Sequence, residues 1–325
     1  MLKFVNAKIN IGLNIVGRRE DGYHLLNTFF LPVGLRNGTP TNPEPFGDLL
    51  ELTCSTPQIP PKSDAVSHSD CGLTFLFSGN RTDCPAEKNL VVKGALAFDE
   101  AFRSKFDISL TEFTGPLTLS LMKLIPDGAG LGGGSADATF TLRLLNDLVK
   151  QRVAAHHEMR ISPFDDSALE AIAVRLGADC PVFVKNTPVY AEGIGEIFST
   201  IQSDSLTELT SGRYWLALAK PDLHISTREA FAGITPRQPS LPLSEALRLP
   251  ISQWRGCITN DFEDSLFPSY PELGQIKESL YASGAIYASM TGSGAALYGI
   301  FDSRQKALEA LSRLDTPFKT LIMLA

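Results

Sequence analysis

The sequence lacks the features that define several large protein classes. It has no apolar run long enough to cross a bilayer, and its N-terminus has no signal-peptide core. Its five cysteines include no Cys-x-x-Cys pair, and no His-Glu-x-x-His motif is present. Scattered cysteines in odd number favour reduced thiols and disfavour a structural zinc site. We therefore expect a cytoplasmic location and no membrane partner.

The chain also lacks an excess of basic residues. Its 29 Lys and Arg residues stand against 36 Asp and Glu residues, which gives a net charge of −7. Nucleic-acid-binding domains usually carry a basic face, so we expect no nucleic-acid partner. A small anionic substrate remains compatible with this charge, because a local group of donors can hold a phosphate on an acidic protein.

The chain does have enough apolar material for a large core or for two domains. It has 325 residues, of which 43% are hydrophobic. Strand-like and helix-like segments alternate, and we place a domain boundary near residue 200, which gives domains 1–200 and 201–325. The stretches 34–48 and 56–88 are rich in Pro, Gly, Asn and Ser, and we interpret them as loops or insertions around short strands.

The first clear strand begins near Lys8. Apolar residues recur at every second position from Ile9 to Ile15, a period typical of a strand. This period predicts one buried face and one available face. The available face would carry Lys8, Asn10, Gly12 and Asn14.

The strongest chemical signal is a glycine-rich loop at residues 126–137, with the sequence Pro-Asp-Gly-Ala-Gly-Leu-Gly-Gly-Gly-Ser-Ala-Asp. Its glycines free the backbone to turn sharply, so that its N–H groups can converge. We predict that a helix follows directly, from Ser135 to about Val149, and its first turn adds unpaired N–H groups and the positive end of the helix dipole. Such a loop is typical of a phosphate site. The alternative, a flexible turn capped by Ser135, does not require so many glycines.

Three common nucleotide-binding classes do not fit this loop. Gly128, Gly130 and Gly133 match the dinucleotide pattern G-x-G-x-x-G, but the loop lies in mid-chain without a clear βαβ unit. The chain has no Gly-Lys pair, which a Walker A loop needs, and it has neither His-Arg-Asp nor Asp-Phe-Gly of the protein kinases. The loop therefore predicts a nucleotide phosphate site of another kind.

Four separated parts of the chain resemble the GHMP kinases, the family named for galactokinase, homoserine kinase, mevalonate kinase and phosphomevalonate kinase. They are residues 7–10 with 17–24, the loop 126–136, residues 176–183 and residues 291–295. Residues 260–263 also fit, so the resemblance spans nearly the whole chain. The Asp-Gly-Tyr-His element at 21–24 is similar to that of the branch that phosphorylates 4-diphosphocytidyl-2-C-methyl-D-erythritol.

The resemblance implies an α+β fold with an N-terminal α/β domain (ribosomal protein S5 domain 2-like) and a C-terminal ferredoxin-like α+β domain. It implies an active site in the cleft between them. It also implies that ATP, with Mg²⁺, phosphorylates the tertiary 2-hydroxyl of a CDP-linked sugar-alcohol substrate in non-mevalonate isoprenoid precursor biosynthesis. Two alternatives stay open: another GHMP kinase, of the mevalonate or homoserine type, and a non-catalytic nucleotide-binding member. The sequence leaves the oligomeric state open.

The resemblance assigns two catalytic residues. Asp179 matches the family's catalytic aspartate, which takes or orients the proton of the attacking hydroxyl. Lys8 matches a lysine that pairs with this aspartate and helps to orient or polarise the hydroxyl. From the residues alone, Asp179 has the alternative of an Asx turn or a helix C-terminal cap, and Lys8 has that of a solvated strand lysine.

The nucleotide contacts follow from the same resemblance. Asn89 and Lys123 match positions that line the ATP pocket, with a helix N-cap and a strand-end cation as their alternatives. Ser135 is also the candidate Mg²⁺ contact. The loop itself supplies the other ATP contacts: Pro126, Asp127, Gly128, Ala129, Gly130, Leu131, Gly132, Gly133, Gly134, Ser135 and Ala136. Asp137 is interpreted as a favourable first-turn charge and not as a catalytic group.

Substrate recognition is predicted around Tyr23 and His24, which resemble a cytidine-recognition pair. An aromatic face would stack on the pyrimidine, and an imidazole would bond to the edge of the base. Their alternatives are a turn aromatic and a surface histidine. The other predicted substrate contacts are Asn10, Thr227, Phe231, Gly292 and Ser293. Arg228 departs from the family pattern, in which Pro often follows that Thr.

Overall fold

The computed structural model describes residues 1–36, 39–40, 46–54, 66–68, 72–80, 84–155 and 160–325. Within this part of the chain, no helix is both long enough and apolar enough to cross a bilayer. The strands in chain order are β1 Leu2–Val5, β2 Ala7–Arg18, β3 His24–Val33, β4 Leu35–Arg36, β5 Thr39–Pro40, β6 Asp48–Thr53, β7 Val66–His68, β8 Leu73–Gly79, β9 Leu117–Lys123, β10 Val189–Glu192, β11 Ile197–Ser199, β12 Tyr214–Lys220, β13 Tyr287–Met290, β14 Leu297–Phe301 and β15 Phe318–Leu324.

The helices lie between these strands and supply much of the apolar packing. They are α1 Leu90–Phe106, α2 Leu110–Thr114, α3 Gly133–Ala155, α4 Asp166–Leu176, α5 Val182–Lys185, α6 Asp204–Leu209, α7 Thr227–Ala232, α8 Leu243–Ala246, α9 Asp261–Leu266, α10 Pro271–Ala282 and α11 Arg304–Arg313. Short 3₁₀ turns lie at Ala86–Lys88 and Ile251–Gln253.

The chain divides into two compact units, each assembled from separate stretches of sequence. The first unit comprises Met1–Asn6, Gly47–Asp127 and Gly133–Asn186. The second comprises Ala7–Phe46, Gly128–Gly132 and Thr187–Ala325. The boundary predicted near residue 200 divides the sequence into two continuous domains, and it stays a prediction.

The first unit contains a five-stranded sheet and the longest helices. The strand order is β1-β6-β9-β8-β7, in which β8 and β9 are parallel and the other neighbours are antiparallel. Helix α3 packs against β1, β6, α1 and α4. Helix α1 buries Val91, Ala95, Phe98 and Phe102, which recur every three to four residues and so form one apolar stripe. Burial of that stripe against its neighbours holds the helix in place.

The second unit contains two antiparallel four-stranded sheets. One has the order β11-β10-β3-β2 and the other the order β13-β14-β12-β15. Helix α10 lies between β12 and β13 in the sequence, and α11 lies between β14 and β15, and both pack on this sheet. This βαββαβ arrangement is the ferredoxin-like fold predicted for the C-terminal part. Tyr298 links the two sheets, because its hydroxyl donates to the backbone oxygen of Asn10 at 2.8 Å.

The prediction of one available face on the first strand is wrong. A bulge interrupts the alternation of β2, because Ile11 pairs with Phe29 while Leu13 pairs with Thr28, which leaves Gly12 as the extra residue. Other elements of the second unit cover the polar side chains of β2, and these side chains form hydrogen bonds with residues of that unit. The buried polar side chains of β2 are those of Lys8, Asn10 and Asn14.

Helix α3 begins at Gly133, two residues before the predicted start, and ends beyond Val149. Glycine is tolerated in a first turn, because the N–H groups there have no partner within the helix. Ser135 is therefore a residue of the first turn and not the N-cap. Asp137 lies one residue further into the helix than a first-turn charge, and it is buried. The interpretation of Asp137 as a favourable first-turn charge is therefore wrong.

The structure describes only parts of the predicted insertions 34–48 and 56–88. The described parts include β4, β5, β7 and β8, and β4 pairs with β5. The remaining residues of the two stretches lie outside the described part of the chain. Asp48, placed at the end of an insertion by composition, is the first residue of β6 and is fully buried.

Candidate active site

The middle of the glycine-rich loop, Gly128–Gly132, is anchored in the second unit through its carbonyl groups. Gly128 O accepts from Ala295 N, and Ala129 O accepts from Ala296 N, each at 3.2 Å. Gly130 O accepts from Lys8 Nζ at 3.0 Å and from Thr291 Oγ1 at 3.1 Å. Leu131 O accepts from Lys8 N at 3.0 Å. Within the described part of the chain, no acceptor takes the backbone N–H groups of these five residues. The loop therefore presents a set of backbone donors that suits the phosphates of a nucleotide.

Gly130 shows why the loop needs glycine. Its φ is +70°, and a Cβ built on it would lie 2.0 Å from the backbone oxygen of Thr291. No side chain fits at that distance, and a left-handed φ is itself costly for other residues. The close approach of the two backbones is what lets the Thr291 hydroxyl reach Gly130 O.

Lys8 and Asn10 form a buried polar pair on β2. Lys8 Nζ donates to Asn10 Oδ1 at 2.7 Å and lies 5.3 Å from the ring centroid of Phe30. Asn10 Nδ2 donates to Thr28 Oγ1 at 2.9 Å. The alternative of a solvated strand lysine is therefore wrong for Lys8, which is 2% exposed. Its bond to Gly130 O joins the predicted catalytic lysine directly to the glycine-rich loop.

The turn between β13 and β14 packs against the same loop. A Cβ on Gly292 would lie 2.9 Å from Gly130 O, so the two backbones are in contact. Asn260 holds the turn, because its Nδ2 donates to Met290 O and to Gly292 O at 2.9 Å each. Gly292 is buried and Ser293 is half-buried. Their predicted contact with substrate stays a prediction.

His24 and Phe231 meet face to face in the second unit. Their ring centroids are 4.7 Å apart and their planes differ by 19°. Partial burial, with the nearby Arg18 charge, lowers the pKa of His24, which favours the neutral imidazole. Phe231 also packs edge-on against Phe262, with ring centroids 4.8 Å apart. The structure thus brings His24, which is predicted to recognise the base, together with Phe231, which is predicted as another substrate contact.

Tyr23 and Thr227, two further residues predicted to contact the substrate, lie at the surface. Tyr23 is 61% exposed, and its backbone N–H donates to Asp21 Oδ1 at 3.2 Å. Thr227 is exposed at the start of α7, which Ser226 caps by accepting from Glu229 N. Their roles in substrate binding stay predictions.

Lys123 lies in the first unit between two carboxylates that the sequence did not connect with it. Its Nζ is 2.5 Å from Asp48 Oδ2 and 2.8 Å from Asp137 Oδ2, and all three side chains are buried. Asp48 Oδ1 also accepts the backbone N–H groups of Leu124 at 2.6 Å and Ile125 at 2.7 Å. This cluster of Lys123, Asp48 and Asp137, here the Lys123 cluster, joins the two ends of the glycine-rich loop.

Charge and burial compete within the Lys123 cluster. Burial disfavours the Lys123 ammonium, but the two carboxylates outweigh it, and the pKa of Lys123 is raised. Burial raises the pKa of Asp137 to about 8, with Asp48 adding to the effect and Lys123 opposing it. Asp137 Oδ1 has no hydrogen-bond partner among the described residues. Two carboxylates sharing one ammonium therefore hold an extra proton more firmly than either would alone.

Asp179 lies half-buried in the turn between α4 and α5, after Gly177, which ends α4. It is therefore not the helix C-terminal cap that sequence offered as an alternative. Burial raises the pKa of the neighbouring Cys180 thiol to about 11, opposed by hydrogen bonds from Ser135 and Thr139 and reinforced by the Asp179 charge. Thr139 Oγ1 bonds to Cys180 O at 2.8 Å and to Ser135 O at 3.0 Å. The turn with the predicted catalytic aspartate is thus fixed to the first turns of α3.

The remaining predicted nucleotide contacts stay predictions. Asn89 Oδ1 accepts from Val91 N at 2.9 Å, so its side chain is the N-cap of α1. Among the described residues there is no group of three or more His, Cys, Asp or Glu side chains placed to hold a metal ion. A nucleotide-bound Mg²⁺ needs few protein ligands, since phosphates and water supply the rest, and the Ser135 hydroxyl fits that demand. Lys8 lies in the second unit and Asp179 in the first, and their pairing is a prediction.

Two family models match the chain. The model for the GHMP kinases N terminal domain matches residues 89–185, and the model for GHMP kinases C terminal matches residues 244–320. Together they cover more than half of the sequence.

Curated proteins are similar over nearly the whole length. A 4-diphosphocytidyl-2-C-methyl-D-erythritol kinase from Bacteroides fragilis is 42% identical over 306 residues, which is 94% of each chain. The protein of the same name from Parabacteroides distasonis is 41% identical and covers 93% of this chain and 92% of its own. That from Chlorobium limicola is 33% identical over 97% of this chain and 94% of its own.

Solved structures share the fold. A crystal structure of 4-(cytidine 5'-diphospho)-2C-methyl-D-erythritol kinase superposes with a TM-score of 0.68 at 26% identity, covering 99% of both chains. Methanococcus jannaschii mevalonate kinase superposes with a TM-score of 0.60 at 12% identity, covering 100% of this chain and 98% of the other. At that lower identity the likeness concerns the fold alone.

Proposed function

The chain belongs to the GHMP kinases and, within them, to the 4-diphosphocytidyl-2-C-methyl-D-erythritol kinases, and from that premise we propose that it phosphorylates this substrate with ATP. The acceptor is the 2-hydroxyl of the methylerythritol moiety, and the step belongs to non-mevalonate isoprenoid precursor biosynthesis. The observation that carries the proposal is the 42% identity to a kinase of that name over 94% of both chains. The cytoplasmic location and the lack of a nucleic-acid partner remain expectations.

Phosphoryl transfer asks a protein mainly for positioning and for charge stabilisation. The N–H groups of Gly128–Gly132 fit the phosphates of ATP, because the carbonyl groups of residues 128–131 accept hydrogen bonds while the N–H groups of the loop donate to no acceptor in the described part of the chain. Bound Mg²⁺ would neutralise charge on the transferring phosphoryl group, with Ser135 as the candidate ligand. These residues hold the donor in place without forming a covalent bond to it.

Lys8 and Asp179 act on the acceptor and on the developing charge in this proposal. The Asp179 carboxylate accepts or orients the proton of the 2-hydroxyl, since a loose transition state makes only a small demand on a base. The Lys8 ammonium, fixed by Asn10 Oδ1 and Gly130 O, offsets charge near the loop. Neither role requires a nucleophilic side chain with an altered pKa.

The base of the substrate is recognised around His24. The stacked rings of His24 and Phe231 offer an apolar platform with a polar imidazole edge, which suits a cytosine. Tyr23, with its exposed ring, is the candidate for the opposite face of the base. This recognition distinguishes the chain from kinases whose alcohol substrates carry no nucleotide.

The test is ADP release with ATP and Mg²⁺ in the presence of 4-diphosphocytidyl-2-C-methyl-D-erythritol, mevalonate, homoserine or galactose. We expect turnover with the CDP-linked alcohol alone. Turnover with another alcohol would reject the substrate while keeping the kinase chemistry. ATP binding without turnover on any acceptor would favour a non-catalytic member of the family.

A further inference from the structure

The connection between β12 and α7 lies in the second unit and contains His224, which is not among the predicted site residues. Lys220 fixes the start of this connection, because its Nζ donates to Pro221 O at 3.2 Å and to Leu223 O at 3.0 Å. Ile225 anchors it in the core, where it is 3% exposed. Between these anchors, His224 is exposed. His224 therefore lies between two anchored positions, and its exposed side chain is accessible to a ligand.

The imidazole of His224 lies against the first residue of the donor loop. A Cβ built on Gly128 would be 2.9 Å from His224 Nδ1 and 3.1 Å from Cε1, with Cγ next at 3.9 Å. The Nδ1–Cε1 edge therefore faces Gly128, and Nε2 lies further from it. Gly128 has a φ of +58°, so that both its backbone and its contact with the ring require glycine. Nε2 is therefore the ring nitrogen that is not in contact with Gly128 and that is left to reach a ligand bound beside the loop.

The same connection ends at the predicted base site. Phe231, seven residues after His224, stacks on His24 with ring centroids 4.7 Å apart. One short segment of the second unit therefore touches the phosphate-binding loop at one end and the base-recognition residues at the other. A nucleotide diphosphate bound to this unit has its charged part near the first end and its base near the second.

We propose that His224 is a ligand-binding residue, whose Nε2 donates a hydrogen bond to a phosphoryl oxygen held at the loop Gly128–Gly132. The inference rests on the proposed function, since that supplies two phosphorylated ligands. The phosphoryl group belongs either to ATP or to the diphosphate of the CDP-linked substrate. Imidazole can donate from a ring nitrogen in the neutral or the charged form, and a bond to an anionic oxygen is stronger than one between neutral groups.

The test compares equilibrium binding of phosphorylated ligands with that of their nucleosides. ATP, adenosine, the CDP-linked alcohol and cytidine are titrated by calorimetry into the wild type, His224→Ala and His224→Gln. We expect His224→Ala to weaken one phosphorylated ligand about tenfold, the size of one charge-assisted hydrogen bond, while its nucleoside binds as before. His224→Gln, which restores an N–H near the Nε2 position, recovers most of the loss. The ligand that weakens identifies the source of the phosphate.

Two results would overturn the proposal. One is unchanged affinity of both phosphorylated ligands in His224→Ala. The other is an equal loss for a nucleoside and its phosphorylated form, since that indicates a packing role only. Arg248→Ala, which removes an exposed cation elsewhere in the second unit, is the matched control and is expected to bind every ligand as the wild type does. Because binding is measured without turnover, failure of the proposed kinase reaction on its substrate is seen separately.

Discussion

Lys8 and Lys123 are both buried lysines on strands, yet their ammonium groups have different partners. Lys8 Nζ donates to Asn10 Oδ1 and to the backbone oxygen of Gly130, in the middle of the glycine-rich loop. Lys123 Nζ bonds to two buried carboxylates. Lys8 is therefore attached to the middle of the glycine-rich loop, and Lys123 is attached to residues at the two ends of that loop. Burial alone therefore does not distinguish the lysine that we propose to be catalytic from the lysine that holds the ends of the loop.

The largest expected effect is on stability and comes from the Lys123 cluster. Lys123→Met leaves the buried Asp48 carboxylate without a counter-charge and removes the donor that Asp48 and Asp137 share, which we expect to cost about 3–5 kcal/mol of unfolding free energy. Urea unfolding measures it. Adding Asp48→Asn and Asp137→Asn to Lys123→Met should recover part of the loss, because no uncompensated charge is then buried. If Lys123→Met is as stable as the wild type, the structural role of the cluster is wrong.

The next effect is on catalysis and comes from Lys8. Lys8→Met is expected to lower kcat by about 10²–10³-fold, the cost of losing one preorganised charge in a phosphoryl-transfer site. Its unfolding midpoint should change much less than that of Lys123→Met. Lys93→Met, at an exposed position of α1, is the control for loss of a lysine. Unchanged turnover in Lys8→Met would remove Lys8 from the catalytic group.

Gly130 tests whether the loop backbone binds the nucleotide. Gly130→Ala places a Cβ against Thr291 O at a left-handed φ of +70°, and we expect a strain of about 1–3 kcal/mol expressed mainly as a higher KM for ATP. Gly212→Ala has a similar φ of +87° but nothing within 4 Å of the added Cβ, so it reports the cost of φ alone. Equal ATP kinetics for the two variants would contradict a role for the close contact.

A smaller effect is expected at the base site. Phe231→Ala removes the ring that stacks on His24, and it should raise the KM for the CDP-linked alcohol by about tenfold, the usual worth of one stacking contact. The KM for ATP should stay as in the wild type. Steady-state kinetics with each substrate varied in turn make the comparison. A change confined to the KM for ATP would place the base of the acceptor elsewhere.

The last comparison is the pH dependence of stability that arises within the Lys123 cluster. Burial raises the pKa of Asp137 from 3.8 to about 8 in the folded protein, so the folded state binds this proton more tightly than the unfolded state. The resulting stabilisation is complete below pH 3.8 and is lost as the pH rises to about 8. Unfolding free energies of the wild type and Asp137→Asn, measured across that range, should therefore diverge as the pH rises. Parallel curves would show that Asp137 does not titrate there.

The sequence predicted the regular elements and the glycine-rich loop well, because both have local signatures. The predicted starts of β2 and α3 lie within two residues of the observed ones, since an apolar period marks the strand and the glycine-rich loop marks the start of the helix. The donor set of Gly128–Gly132 follows from glycine density alone. The resemblance, rather than any local pattern, was needed to separate Lys8 and Asp179 from ordinary strand and turn residues.

The partners of the buried lysines could not be predicted. Asp48 lies 75 residues from Lys123 along the chain, within a stretch whose composition indicates a loop, so nothing local connects the two. Thr291 lies 281 residues from Asn10, whose backbone N–H its hydroxyl accepts at 3.1 Å. The bulge at Gly12 is likewise set by pairing with β3 and not by the alternation of β2. Such contacts depend on tertiary pairing, which a one-dimensional period does not contain.

The central claim is that the chain transfers the γ-phosphoryl group of ATP to the 2-hydroxyl of 4-diphosphocytidyl-2-C-methyl-D-erythritol. Phosphorus NMR of the reaction mixture tests it most directly, with Asp179→Asn measured beside the wild type. We predict one new phosphomonoester on the tertiary carbon for each ADP formed, and a slow or absent signal in the variant. ADP without a new ester on this substrate, or an ester at another hydroxyl, would contradict the account.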